Sequence, residues 1–254
     1  MNTSDMSFPA DLIKKMVLCV EDAVGDDILA DIHHNDLRTT VSVPSRIWDL
    51  LNTNLIKSLE TENCTIAIAH RGFWEMIVIF EKTTRCIFTF MREKRFSDLR
   101  RRQHSRVHMH YLDMLSRQFN KELLAAQQQL ELFPHTFSDE DRLAELVQIL
   151  LRDLDGEVEV VRHHVLVLFE TVGYQLSHIR AVKVTPNLDI AQNCEQDWSQ
   201  YISAGASSVI EKVVCRESPE NRPNRSLTLK PKAMARQKNR PQQKKIDLES
   251  KKES

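Results

Sequence analysis

The apolar positions along the chain change period several times, and each change marks a different kind of element. After a short polar leader, Pro9 precedes Leu12, Ile13, Met16, Val17 and Val20. That helical spacing predicts a helix over about residues 9–24. Residues 25–40 are polar and carry no clear period. A second helix is predicted from Pro44-Ser45 to about Leu59, with Trp48, Leu51, Leu55, Ile56 and Leu59 on its apolar face. The period then shortens. Cys64–Ala69, Phe73–Phe80 and Cys86–Phe90 are short β-rich runs, split by Arg71-Gly72 and by Lys82-Thr83-Thr84. Gaps of that size suit hairpins, so the stretch reads as a three-stranded antiparallel meander.

The helical period returns over Arg92–Leu124, with Phe96, Leu99, Val107, Tyr111, Leu115 and Phe119 near one side. A polar stretch leads to Pro134, which restricts Phe133 to an extended backbone. Ser138 opens a further helix to about Leu154, with Asp139, Glu140 and Asp141 in the first turn, where the helix dipole favours acids. Two strands are then expected: Val158–Glu170, interrupted by Arg162-His163-His164, and Tyr174–Val184, reached through Thr171-Val172-Gly173. Beyond Asp189 come a Trp198, Tyr201, Ile202 cluster and a weak helix to about Val214. The expected class is α+β, with antiparallel sheet strands packed against several helices in one domain over residues 1–215.

Composition changes this picture at the end of the chain. Residues 216–254 hold twelve Lys or Arg against five Asp or Glu, broken by Pro219, Pro223, Pro231 and Pro241. Such a segment has too little apolar surface to offset its ordering entropy, so a disordered basic tail is expected. The whole chain carries a net charge of −1, so any attraction to a polyanion must be local. The five cysteines form no C-x-x-C pair, which leaves no zinc knuckle or redox motif. Their odd number and wide spacing suit reduced thiols in a cytosol, with Cys64 and Cys86 as core residues. The leader is polar and no run of about 18 apolar residues occurs, so neither a signal peptide nor a membrane span is expected.

One short run carries recognition chemistry. Gln129-Leu130-Glu131-Leu132-Phe133 lies in a linker at residues 127–134, between two predicted helices. Peptides that dock on the bacterial sliding clamp have the general form Gln-Leu-(Ser or Asp)-Leu-Phe. Two neighbouring apolar side chains fill a preformed pocket while the glutamine amide hydrogen-bonds at a second subsite. In an extended backbone Leu130 and Leu132 share a side and Phe133 is offered to the pocket. A pattern this restrictive arises by chance in roughly one chain in a thousand of this length. Glu131 departs from the form: it keeps an acceptor and a charge but adds a methylene to Asp. The plain alternative is that Leu130, Leu132 and Phe133 pack a helix end onto the core. The polar Gln127-Gln128-Gln129 and the flanking Pro134 favour the linker.

The clamp motif at Gln129–Phe133, the α+β body and the basic tail together resemble the SocB toxins of SocA–SocB toxin–antitoxin pairs. The resemblance implies a non-enzymatic toxin, without metal or cofactor, that binds the DNA polymerase III β sliding clamp. It would displace other clients and stop replication elongation in the cytoplasm, at the replisome. It also implies a SocA-type antitoxin that acts as a proteolytic adaptor to the ClpXP protease.

Other residues compete for a functional role. Arg92–Arg106 holds seven basic residues, which suit either phosphate contact or a solvated helix face paired with Glu93 and Asp98. His104 and His108, four apart, would share a helical face with His110 nearby, but no third metal ligand is nominated. His163 and His164 would point to opposite faces of a strand, so a nuclease centre would use one of them with Arg162 and Glu170. A clamp-recruited repair accessory protein remains a further alternative, using the same docking run. The tail suits nonspecific DNA contact, a protease-recognised extension or a plain solvated terminus.

Overall fold

The computed structural model describes residues 6–61, 63–71, 74–106, 108–124, 140–154 and 156–203, with 71, 74, 104 and 140–142 described by backbone alone. The chain divides into Met1–Ala206 and Ser207–Ser254, and every described residue belongs to the first unit. The linker at 127–134, the helix expected towards Val214 and the basic tail from residue 216 lie outside the described residues.

Helix α1 (Ala10–Val24) follows Pro9 and buries Leu12, Ile13, Met16, Val17, Val20, Ala23 and Val24, the face that the spacing predicts. It stops at Gly25, whose N–H donates to the carbonyls of Glu21 (2.9 Å) and Asp22 (3.2 Å). A Cβ there would stand 2.9 Å from the Glu21 carbonyl oxygen, so the close turn requires glycine. The chain re-enters helix at once in α2 (Asp26–His34), with acids at its start and histidines at its end. Helix α3 (Val43–Leu59) carries Pro44 in its first turn and buries every fourth residue: Val43, Ile47, Leu51, Leu55 and Leu59. Arg46 pairs with Asp31, and the Asn54 amide donates to Asp27 at 2.6 Å, so polar contacts tie α2 to α3.

Six strands follow: β1 (Cys64–Arg71), β2 (Trp74–Glu81), β3 (Cys86–Arg92), β4 (His163–Val172), β5 (Gln175–Val184) and β6 (Ile190–Asp197). They form one sheet in chain order. The expected meander of β1, β2 and β3 is present and antiparallel. At the β2–β3 turn the Glu81 carboxylate accepts the backbone N–H groups of Thr83 (3.0 Å) and Thr84 (2.7 Å). The sheet is mixed rather than wholly antiparallel, because β3 and β4 pair in parallel, from Cys86 opposite His163 to Arg92 opposite Phe169. A parallel pair needs a crossover. Here that crossover carries α4 (Glu93–Arg101), α5 (Tyr111–Phe119) and α6 (Glu140–Leu150).

The expectation of α+β therefore holds, with helices on both faces of the sheet. Helices α1, α2 and α3 share one core with Ile77, Ile79, Phe88, Phe90, Val165 and Phe169. Helices α4, α5 and α6 share the other with Val78, Phe80, Ile87, Met91, Leu166 and Leu168. Strands β3 and β4 sit between the two, which is why they read as almost unbroken apolar runs. Phe8 locks the first core by edge-on contacts with Phe88 (5.1 Å) and Trp198 (6.1 Å).

Three sequence expectations need correction. Arg92–Leu124 is not one helix: α4 ends at Arg101, and a 3-10 turn at Gln103–Ser105 precedes a new start at Tyr111. The start is made by a capping box, in which His110 Nδ1 accepts from Leu112 and the Asp113 carboxylate accepts from His110 N–H. The strand expected from Val158 begins only at His163. Gly156, at φ 78°, turns the chain, and Glu157–Val160 forms a 3-10 turn instead. Finally, β6 occupies residues for which no strand was expected.

Candidate functional site

The sequence-nominated docking residues Gln129, Leu130, Glu131, Leu132 and Phe133 lie outside the described residues. Their flanks are described. On one side Leu123, in a 3-10 turn at Lys121–Leu123, packs against the first core. On the other, α6 buries Val147 and Leu150 in the second core. The run thus belongs to the connection between two elements that are anchored on the sheet.

The basic stretch is resolved into individual fates. Phe96 and Leu99 face the core, which turns Lys94, Arg95, Arg100, Arg101 and Arg102 outward. Arg100 pairs with Asp189 at 2.6 Å and Arg101 with Asp98 at 2.7 Å. Arg106 is drawn into the α5 capping box by the Asp113 carboxylate. Glu93, which the sequence offered as a partner for this face, turns instead to Arg180 of β5. Lys94, Arg95 and Arg102 have no acidic partner among the described residues.

The histidines separate. The proposed four-residue pairing of His104 and His108 fails because helix α4 has already ended before His104. His110 is engaged as the α5 cap. Among the described residues no group of three or more His, Cys, Asp or Glu is arranged to hold a metal. In β4, His163 and His164 do point to opposite faces. His164 is fully buried beneath α5, with Nε2 2.8 Å from the Thr89 hydroxyl. Burial drives its pKa down to about 3, so the ring is neutral at physiological pH. His163 lies on the first-core side, across from Cys86. Burial, and then the charge of Lys183, lower its pKa too. The Glu122 carboxylate approaches to 3.5 Å without completing a hydrogen bond to Nδ1. Glu170 stands seven residues along β4 from His163, about 23 Å away at strand rise, so it cannot join Arg162 and the histidines in one centre.

Cys19, Cys64, Cys86 and Cys194 are buried, unpaired thiols. Burial raises the pKa of each, which keeps them protonated and unreactive. These cysteines therefore do not have the character of activated nucleophiles.

Two polar constellations had no signal in the sequence. The Asn120 side chain, buried beyond the end of α5, donates to the carbonyls of His164 (2.8 Å) and Val184 (3.0 Å) and accepts the His164 N–H (3.0 Å). It bridges β4 and β5 at the end where their ladder opens. Further along the same ladder, where Arg180 pairs with Leu168, the Arg180 guanidinium joins Glu93 of α4 to Glu195 of β6. Burial disfavours the charged Arg180, but the hydrogen bonds it donates to the Glu93 and Glu195 carboxylates outweigh this and raise the pKa.

Residues 5–248 match the model of a family described as a family of unknown function, DUF5986, and the chain belongs to that family. No curated protein and no solved structure matches it. No helix among the described residues is long and apolar enough to cross a membrane.

Proposed function

We propose that this protein is a non-enzymatic ligand of the bacterial sliding clamp, the β subunit of DNA polymerase III, and docks on it through Gln129–Phe133. The observation that carries the reading is the run itself, which departs from the general form of clamp peptides only at Glu131. Leu132 and Phe133 are the anchors, Gln129 the polar contact and Leu130 a supporting one. Burying both anchors supplies roughly 3–6 kcal/mol before ordering costs. The run also belongs to a connection between anchored elements, and tethering at both ends lowers the entropy lost on docking. By occupying the clamp the protein excludes other clients, and elongation stops. In this reading a SocA-type antitoxin relieves the block by passing the protein to ClpXP.

The experiment is a fluorescence-anisotropy titration of the full chain with purified clamp. A Leu132→Ala, Phe133→Ala double variant that binds as tightly as the parent ends the reading. Inducible expression then separates a toxin, which arrests growth, from a repair accessory protein, which does not.

A further inference from the structure

We propose that the outward face of α4 binds the phosphodiester backbone of duplex DNA. With 3.6 residues per turn, Lys94 lies above Arg101 and Arg95 above Arg102. The helix thus presents two pairs of cations about 10 Å apart along its axis. One carboxylate, Asp98, lies among these four cations, and it is held by Arg101. Glu93 contributes nothing to this face because Arg180 holds it. The chain as a whole is at −1, so the positive field is a local feature of α4.

A structural role accounts for only half of this arrangement. Arg101 and Arg102 stand at the C-terminal end of the helix, where the dipole favours cations. Lys94 and Arg95 stand in the first turn, where the same dipole opposes them. Their placement costs stability and requires another reason. A polyanion supplies one: duplex DNA carries a charge every ~1.7 Å of its axis, so both cation pairs reach phosphates of one duplex. A membrane surface fits less well. Phe96 and Leu99, the apolar residues of α4, are buried at 2% and 4% exposure, which leaves none to insert among lipids. The inference does not rest on clamp docking, since the titration below contains no clamp.

The test titrates the full chain into a short fluorescein-labelled duplex DNA at several salt concentrations. The parent should bind at low salt, about 50 mM, and weaken steeply as salt rises. Lys94→Glu, Arg95→Glu, Arg102→Glu should bind at least tenfold more weakly. The neutral variant Lys94→Gln, Arg95→Gln, Arg102→Gln should flatten the log–log salt slope by about 0.9 per lost phosphate contact, and it decides the matter if the charge-reversed protein misfolds. Both variants keep the basic tail, so the difference belongs to α4. Lys57→Glu, an exposed change on α3, should leave binding unaltered. A duplex RNA of the same length should bind no more tightly than the DNA, and tighter binding of the RNA would overturn DNA as the occupant. The proposal is overturned if the parent does not bind at low salt, if the neutral variant keeps the parental affinity and slope, or if vesicles of phosphatidylglycerol and phosphatidylcholine bind the parent in preference to either duplex.

Discussion

Arg180 of β5 grips Glu93, the first residue of α4, through two hydrogen bonds, 3.2 Å from Nε to Oε2 and 2.6 Å from Nη2 to Oε1. The pair ties the start of the crossover to β5, two strands away from β3 on the same face of the sheet. It is sheltered, with side-chain exposures of 18% and 19%, so solvent screens it less than a surface bridge. Glu93→Gln keeps the shape and removes the charge, and should lower unfolding stability by about 1–2 kcal/mol. Arg180→Leu leaves Glu93 and Glu195 without their shared cation and should cost more. Urea denaturation of both variants checks this. Equal stabilities for parent and Arg180→Leu would show that the pair does not hold the crossover.

The Asn120 side chain makes three hydrogen bonds at a fully buried position. Asn120→Ala strands the N–H and carbonyl of His164 and the carbonyl of Val184 away from water. The expected loss is about 2–4 kcal/mol, more than for an average substitution. Amide hydrogen exchange provides a local readout: the His164 amide should lose protection, while amides in the β1–β2 hairpin should change only through the lower global stability.

What the sequence made legible follows from how each element is buried. Helices α1 and α3 each put one face on the sheet, and their apolar spacing announces them. Helix α2 buries only Ile28, so its polar sequence has no period to read. Strand β6 buries Ala191 and Cys194, three apart. Asn193 at φ 57° and a register shift between Val182 and Val184 break the alternation that would have marked it. The break between α4 and α5 was hidden because Phe96, Leu99, Leu112, Leu115 and Phe119 all face the same core. Its cap is a histidine, a residue with little capping preference. The proposed docking run can be read from the sequence because recognition by a linear peptide needs only neighbours in sequence. The Glu93–Arg180 and Asn120–His164 contacts cannot, because their partners meet only after the crossover has folded.

The neutral, buried His164 makes stability depend on pH. Its folded pKa of about 3 lies below the ordinary value of 6.5. Between those two values the unfolded chain binds a proton that the folded chain refuses. Stability from this group is therefore complete above pH 6.5 and falls as pH drops towards 3, by about 1.4 kcal/mol per pH unit. The lowered pKa of His163 acts in the same direction. His164→Leu removes this proton uptake but leaves the Thr89 hydroxyl unpaired, at about 1–3 kcal/mol near neutral pH. Denaturation across the acid range should show the parent losing ground to the variant by the slope above. Parallel stability curves would show that His164 is not held neutral by the core.

Glu131 provides a prediction that separates clamp docking from packing of the same residues onto the body. In the general clamp peptide the third position is Ser or Asp. An extended backbone sends it to the side opposite Leu130 and Leu132. Glutamate there is one methylene longer than aspartate, so in a groove shaped for the shorter side chain it crowds the wall or leaves its hydrogen bond misaligned. Glu131→Asp should therefore tighten clamp binding by roughly two- to fivefold, the equivalent of about 0.5–1 kcal/mol. Phe133→Ala, which empties the pocket, should weaken it by more than tenfold. If the run served only to pack the body, the effects would move from clamp affinity to fold stability. Glu131→Asp would leave clamp affinity unchanged and Phe133→Ala would lower the unfolding midpoint. Anisotropy with purified clamp, read beside a thermal melt of each variant, distinguishes the two patterns, because docking registers in clamp affinity and packing in the unfolding midpoint.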